Sequence, residues 1–230
     1  CSSDRRDSLR ARYVFNRIGQ VDHQGFPAQF FGVRETNLYL ATVSEYHTFT
    51  PSLTNEFRLG FNRFNDSIPV PGSEQFPGLD QFPNISLYEL GLSFGPDPSA
   101  PQFSVQNTYQ ITDNLSWTRG QHSLKFGFDG WKSISPSSFT QRSRGDYEWV
   151  YLTDYLHDIS PDAAAERGLG NVVYYGDQVL LSFFANDTWK IRPNLTLNLG
   201  LRYEYQTVPY SERLQTVNAA ASVPGLISFT

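Results

Sequence analysis

The chain has 230 residues, with 18 Lys and Arg against 23 Asp and Glu, for a net charge of −5. It lacks the clustered basic excess of a nucleic-acid-binding surface, so no nucleic-acid partner is expected. Mean hydropathy is −0.41, and no run approaches the roughly 20 apolar residues of a membrane helix. A polar average does not exclude a membrane-spanning sheet, which hides its apolar residues by alternation; aromatic residues make up 15% of the chain. The single Cys excludes an internal disulfide, and Cys1-Ser2-Ser3 reads as a cut point in a longer chain rather than as a lipoprotein start. With no Met and no signal peptide, residues 1–230 are expected to be part of a larger protein.

Seven strands are predicted, because successive side chains of a strand point to opposite faces and give a period of two. The first, near 8–17, sets Leu9, Ala11, Tyr13 and Phe15 against Arg10, Arg12 and Asn16. A hairpin follows over 37–66, turning at Thr50-Pro51-Ser52-Leu53-Thr54. Its first arm is too weakly patterned to assign a face, whereas its return arm sets Phe57, Leu59 and Phe61 against Arg58, Gly60 and Asn62. The next hairpin, 104–132, turns at Arg119-Gly120-Gln121-His122. It sets Tyr109, Ile111, Leu115 and Trp117, then Leu124, Phe126 and Phe128, against Gln110, Thr112, Asn114, Ser116, Lys125, Gly127 and Asp129.

The clearest hairpin is 178–206. Leu195, Leu197, Leu199, Leu201, Tyr203 and Tyr205 share one face, and Thr196, Asn198, Gly200, Arg202, Glu204 and Gln206 the other. In its first arm Val179, Leu181, Phe183, Ala185 and Trp189 form the apolar face, blurred by Leu180 and Phe184. Pro193 lies in the short link, where its missing N–H costs no ladder bond.

The strands are about 10–13 residues long. Soluble strands run to about 5–6 residues, and a tilted membrane strand needs about 9–11. Short links within hairpins alternate with long connections at 18–36, 67–103 and 133–177. Tight turns at one end and large loops at the other are how outer-membrane barrels are built. Phe49, Trp117 and Trp189 close the descending strands, and Trp131, Tyr203 and Tyr205 (with Phe64) mark the opposite ends. Together they are expected to form two aromatic girdles at headgroup level. In the loops, Phe76-Pro77-Gly78-Leu79 and Phe82-Pro83-Asn84 predict an ordered turn, Asp146 to His157 a short helix, and Ser160-Pro161-Asp162 through Gly168 a capped helical turn.

The fold class is therefore all-β: an antiparallel, up-and-down transmembrane β-barrel segment of about seven strands from a larger barrel, with long extracellular loops. Leu195, Leu197, Leu199, Leu201, Phe126, Phe128, Leu59 and Phe61 are expected to face lipid; Arg58, Lys125, Asp129, Asn198, Arg202 and Glu204 are expected to face the lumen. His23, His47, His122 and His157 show no metal-ligand spacing, and there is no phosphate loop or nucleophile elbow. No catalytic, cofactor or metal residue is assigned, and no enzymatic activity is expected.

Three stretches carry a family resemblance: His47 to Phe61, Asp113 to Gly127, and Phe184-Ala185-Asn186-Asp187-Thr188-Trp189-Lys190 with Leu195 to Glu204. They resemble the barrel of TonB-dependent outer-membrane transporters, in particular the Oar-like branch. The resemblance implies a plugged barrel of about 22 strands in the outer membrane of a Gram-negative bacterium, and energised uptake of a large or scarce solute. It implies as partners the outer-membrane lipid, the remainder of the barrel and its plug, and TonB acting through an N-terminal region not evident here. Two other readings stay open: a soluble all-β binding or structural module with Leu195 to Leu201 in a sandwich core, and a porin or adhesin barrel without TonB coupling.

Overall fold

The computed structural model describes residues 6–22, 30–70, 77–138, 142–168 and 173–209. Its elements, in chain order, are β1 (Asp7–Asp22), β2 (Gly32–Thr50), β3 (Leu53–Ile68), β4 (Asn84–Leu87), β5 (Leu92–Phe94), β6 (Gln102–Arg119) and β7 (His122–Ile134). They continue with β8 (Pro136–Ser138), β9 (Asp146–Trp149), α1 (Leu152–Leu156), β10 (Ala164–Glu166), β11 (Val173–Tyr175), β12 (Gln178–Arg192) and β13 (Leu195–Gln206). Cys1, His23 and Phe76 lie outside the described residues.

The seven predicted strands are all present, as an antiparallel meander in the order β1-β2-β3-β6-β7-β12-β13. β7 and β13, of 13 and 12 residues, have the expected length, whereas β1, β2, β3, β6 and β12 are longer, reaching 19 residues in β2. A tilted strand crosses a bilayer in about 9–11 residues, so the paired wall continues past any hydrocarbon layer. The alternating pattern fades there because the added rows no longer face one apolar and one polar environment. Within the described residues the sheet is not closed: β1 and β13 each have one unpaired edge.

Longer strands shorten the turns. The links of four or five residues expected within hairpins are two-residue turns, at Pro51-Ser52, Gly120-Gln121 and Pro193-Asn194. Gly120 takes φ +61°, a left-handed conformation that costs glycine little. The other two turns absorb the twist with register shifts at Thr48/Thr50 and Lys190/Arg192.

A second, four-stranded sheet, β10-β9-β4-β5, is built wholly from two long connections. The β3–β6 connection gives the β4/β5 hairpin, and the β7–β12 connection gives β9 and β10; β4 and β9 pair in parallel, Asn84 with Asp146 through Leu87 with Trp149. This pairing overturns two local expectations. The helix predicted over Asp146 to His157 is confined to Leu152–Leu156, because Asp146–Trp149 is drawn into strand against β4. The helical turn predicted after Ser160 is instead the strand Ala164–Glu166. There the Ala163 amide donates to the Glu148 carbonyl, and Asp162 accepts from the Val150 amide at 2.8 Å, which seats the segment on the edge of β9. The ordered turn expected before Asn84 is present as a 3-10 turn, Leu79–Gln81.

Phe184, which blurs the pattern of β12, lies across Gly127 on the neighbouring strand. A Cβ at Gly127 would fall 2.1 Å from the Phe184 ring and 2.7 Å from the Asn114 amide oxygen. Gly127→Val is therefore expected to cost on the order of 1–3 kcal/mol through overpacking. Gly19→Val, with nothing within 4 Å of its Cβ position, should be neutral. Denaturant unfolding of the full-length protein in lipid vesicles measures both.

Candidate functional site

The function-bearing surface is the pair of faces of the long sheet, together with the polar cleft of the loop sheet. Residues opposite one another in a ladder share a face, so the register assigns every side chain. One row runs Leu9–Glu45–Phe57–Asp113–Phe128–Phe183–Tyr203, and the next runs Ala11–Val43–Leu59–Ile111–Gly130–Leu181–Tyr205. Phe61, Phe126, Leu195, Leu197, Leu199 and Leu201 fall on the same face. The eight residues expected to meet lipid thus form one continuous apolar surface. It is unburied within this chain, with Leu201 at 76% exposure. The face of β2 left open by the sequence pattern is settled by its partners: Tyr39, Ala41 and Val43 lie on this side.

The opposite face is polar. Arg10, Ser44, Arg58, Thr112, Asp129, Ser182 and Glu204 form one row across all seven strands, and Lys125, Asn198 and Arg202 lie on the same side. Thr112 and Gln110 both donate to Asp129, at 3.0 and 2.9 Å, and the Arg202 guanidinium lies 2.6 Å from Glu204. The six residues expected to face the lumen therefore share one polar face.

The aromatic assignments divide. Phe49, Trp117, Trp189, Tyr203 and Tyr205 have the parity of the apolar face. Trp189 stacks on His122, with ring centroids 5.2 Å apart, and the Arg119 guanidinium sits over Trp117. Trp131 and Phe64 do not belong to a girdle. Trp131 is paired with Gln110 and Leu180, and Phe64 with Leu38 and Gln106, so both lie on the polar side. Their position near strand ends suggested the interface, but parity decides the face.

The structure also brings together groups that sequence spacing left apart. Three acids interrupt the apolar face above the tight turns, each beside a polar partner on the adjacent strand. Asn55 donates to Asp113 at 2.8 Å, His122 Nδ1 lies 2.7 Å from Asp187, and Glu45 stands beside the hydrogen-bonded pair His47 and Asp7. The ligand atoms of Asp7, Glu45 and His47 all lie within 4.8 Å of one another, a donor set suited to a cation. Spacing along the chain missed it because the three residues come from two strands. The signal available in sequence was acids at apolar parity: Glu45, Asp113 and Asp187.

In the loop sheet, parity again makes two faces. Ile85, Leu87, Leu92, Phe94, Tyr147, Trp149 and Ala165 lie on one; Asn84, Ser86, Ser93, Asp146, Glu148 and Glu166 lie on the other. Asp146, 1% exposed, accepts from Asn84 at 2.8 Å and from Arg142 at 2.9 Å. These bonds to Asp146 hold the Arg142 guanidinium above its ordinary range. Arg144, 8% exposed, donates to the carbonyls of Ala100, Phe82, Pro96 and Asp97, and burial pushes its guanidinium down. All four carbonyls come from the other long connection, so Arg144 locks the two connections together. Beside it lies a cleft of about 210 Å³ lined by Asn84, Ser86, Ser93, Asp97, Arg142 and Glu148. The lining combines carboxylate and hydroxyl oxygens with the Asn84 amide and the Arg142 guanidinium.

Comparison with known proteins agrees with this geometry. A family model described as outer membrane beta barrel domain matches residues 2–229. No curated protein sequence matches the chain. Among solved structures, the fold is similar to the outer membrane transporter YddB from Escherichia coli, with TM-score 0.55 and 13% identity, over 90% of this chain and 26% of that one. The family match sets aside a soluble sandwich module.

Two expectations follow. Leu199→Arg should cost roughly 2–4 kcal/mol near a bilayer midplane and reduce membrane assembly, whereas Asn198→Arg on the polar face should assemble normally; the folded fraction recovered from membranes measures the contrast. Arg144→Ala should leave buried carbonyls unpaired and destabilise the loop sheet by about 2 kcal/mol or more. Hydrogen exchange should show this as faster exchange in Asn84–Leu87 and Asp146–Trp149, with β12 and β13 unchanged.

Proposed function

The chain belongs to the outer membrane beta barrel domain family, and from that premise we propose that it is a wall segment of a TonB-dependent transporter of the Oar-like kind. In this reading the whole protein carries out energised uptake of a large or scarce solute. The observation that carries the reading is the polar face. Its row from Arg10 to Glu204 spans all seven strands with charged and hydroxyl side chains, a surface suited to contact with a plug filling a wide barrel. The motifs Phe184 to Lys190 and Leu195 to Glu204, and the likeness in fold to an outer membrane transporter, support it.

In this proposal each surface has its own role. The apolar face meets the hydrocarbon. Arg58, Lys125, Asp129, Asn198, Arg202 and Glu204 face the interior, where they meet the plug and solvate the passage. The loop cleft, with both donors and acceptors in its lining, suits a polar solute, and the Arg144 lock keeps it preformed. No step in this role calls for a catalytic group.

The test uses the full-length protein reconstituted in planar bilayers, with the periplasmic domain of TonB as the probe. A plugged transporter is expected to show no steady conductance and to bind that domain in solution. A large, steady, TonB-independent conductance without such binding would instead establish an open porin-type barrel.

A further inference from the structure

Asp7, Glu45 and His47 meet on the apolar face near the tight-turn end of β1 and β2. Asp7 stands opposite His47 in the β1–β2 ladder, and Glu45 lies two residues along β2 on the same side. One ligating atom from each lies within 4.8 Å of the other two. His47 Nδ1 is hydrogen-bonded to Asp7 Oδ1. The Phe49 ring meets the imidazole edge-on, with ring centroids 4.2 Å apart, and fixes its plane. The Asp7 and His47 side chains are 66% and 30% exposed, so water and ions reach the cluster.

The cluster cannot neutralise its own charge. Two carboxylates face one imidazole, so a net negative charge remains even when His47 is protonated. The neighbours of Glu45 in its row are Leu9 and Phe57, neither of which can answer it. Apolar walls weaken dielectric screening, and carboxylates this close disfavour each other's charged form. The other acids of this face differ: Asp113 accepts from Asn55, and Asp187 lies beside His122, each a single carboxylate with a polar partner. Asn55 adds a further donor. It stands opposite His47 on β3, where directly opposed Cβ atoms are about 5 Å apart. Its amide nitrogen donates to Asp113 of β6, while its carbonyl oxygen is buried and has no hydrogen-bond partner among the described residues.

We propose that Asp7, Glu45 and His47 bind one divalent transition-metal ion of the zinc class, which bridges β1 and β2 at their tight-turn end. One imidazole nitrogen and two carboxylate oxygens form a donor set for zinc, with the fourth position left to water or to the Asn55 carbonyl oxygen. Two negative charges match the charge of the ion. The imidazole selects it, because nitrogen ligands suit transition metals, whereas Mg2+ and Ca2+ favour oxygen-only sites with about six or more ligands. The ion takes the place of the hydrogen bond between His47 and Asp7 as the link between the strands. Among the described residues β1 is held by one ladder alone, so this clamp keeps its end from fraying.

The experiment is equilibrium dialysis of the detergent-purified, chelator-treated full-length protein against Zn2+, read as metal bound per chain, with Co2+ as a spectroscopic probe. The unaltered protein is expected to retain one ion more than His47→Ala, and Co2+ to give a visible band of four-coordinate character that His47→Ala lacks. Glu45→Gln, close in size to the native residue, should weaken binding by about tenfold or more. His122→Ala, which removes the imidazole beside Asp187, should leave Zn2+ binding unchanged. Zn2+ should slow amide exchange at Asp7–Leu9 and Glu45–His47 in the unaltered protein and not in Glu45→Gln. The fold of each variant is checked by resistance to unfolding in dodecyl sulfate without heating, and Glu45→Gln decides the question where His47→Ala fails to assemble. Zn2+ retention unchanged in Glu45→Gln and His47→Ala, or retention of Mg2+ as tight as that of Zn2+, would overturn the proposal.

Discussion

A chain crossing hydrocarbon has no water to satisfy its peptide groups, so every backbone N–H and C=O must be paired within the protein. The rest of this structure depends on that constraint. It requires long, unbroken ladders, and six of them join the seven long strands. It confines Pro51 and Pro193 to turns, since neither can donate to a ladder. It also leaves the hydrophobic effect a different task. The apolar side chains of the outer face have no protein core to enter, and their exposure within this chain is the condition for contact with lipid.

Once the ladders are fixed, each residue's face follows from its parity. A one-residue slip would exchange the two faces over the whole strand, so the register carries as much functional information as the side chains do. Exceptions to parity are informative for that reason. Phe184 is tolerated on the polar side because Gly127 makes room for its ring. Asp113 and Asp187 are tolerated on the apolar side because each has a hydrogen-bonding partner on the next strand.

The long connections obey a different rule. Their local signals favour short helices, yet β4 and β9, from separate connections, pair in parallel and convert their neighbours to strand. Arg144 makes the arrangement possible by answering four carbonyls of the opposite connection with one guanidinium. A buried cation with that many charge-assisted bonds supplements a small apolar core, in which Leu87 and Ala100 are buried.

The sequence by itself determined the seven strands, their up-and-down order, and the faces of β3, β6, β7, β12 and β13. It could do so because a period of two is a local property, repeated in every strand with an apolar and a polar side. It did not determine the face of β2, the placement of Trp131 and Phe64, the meeting of Asp7, Glu45 and His47, or the loop sheet. Each of these depends on which residue stands opposite which across a ladder or between connections. Such pairings join positions far apart in the chain, and only the tertiary structure decides them.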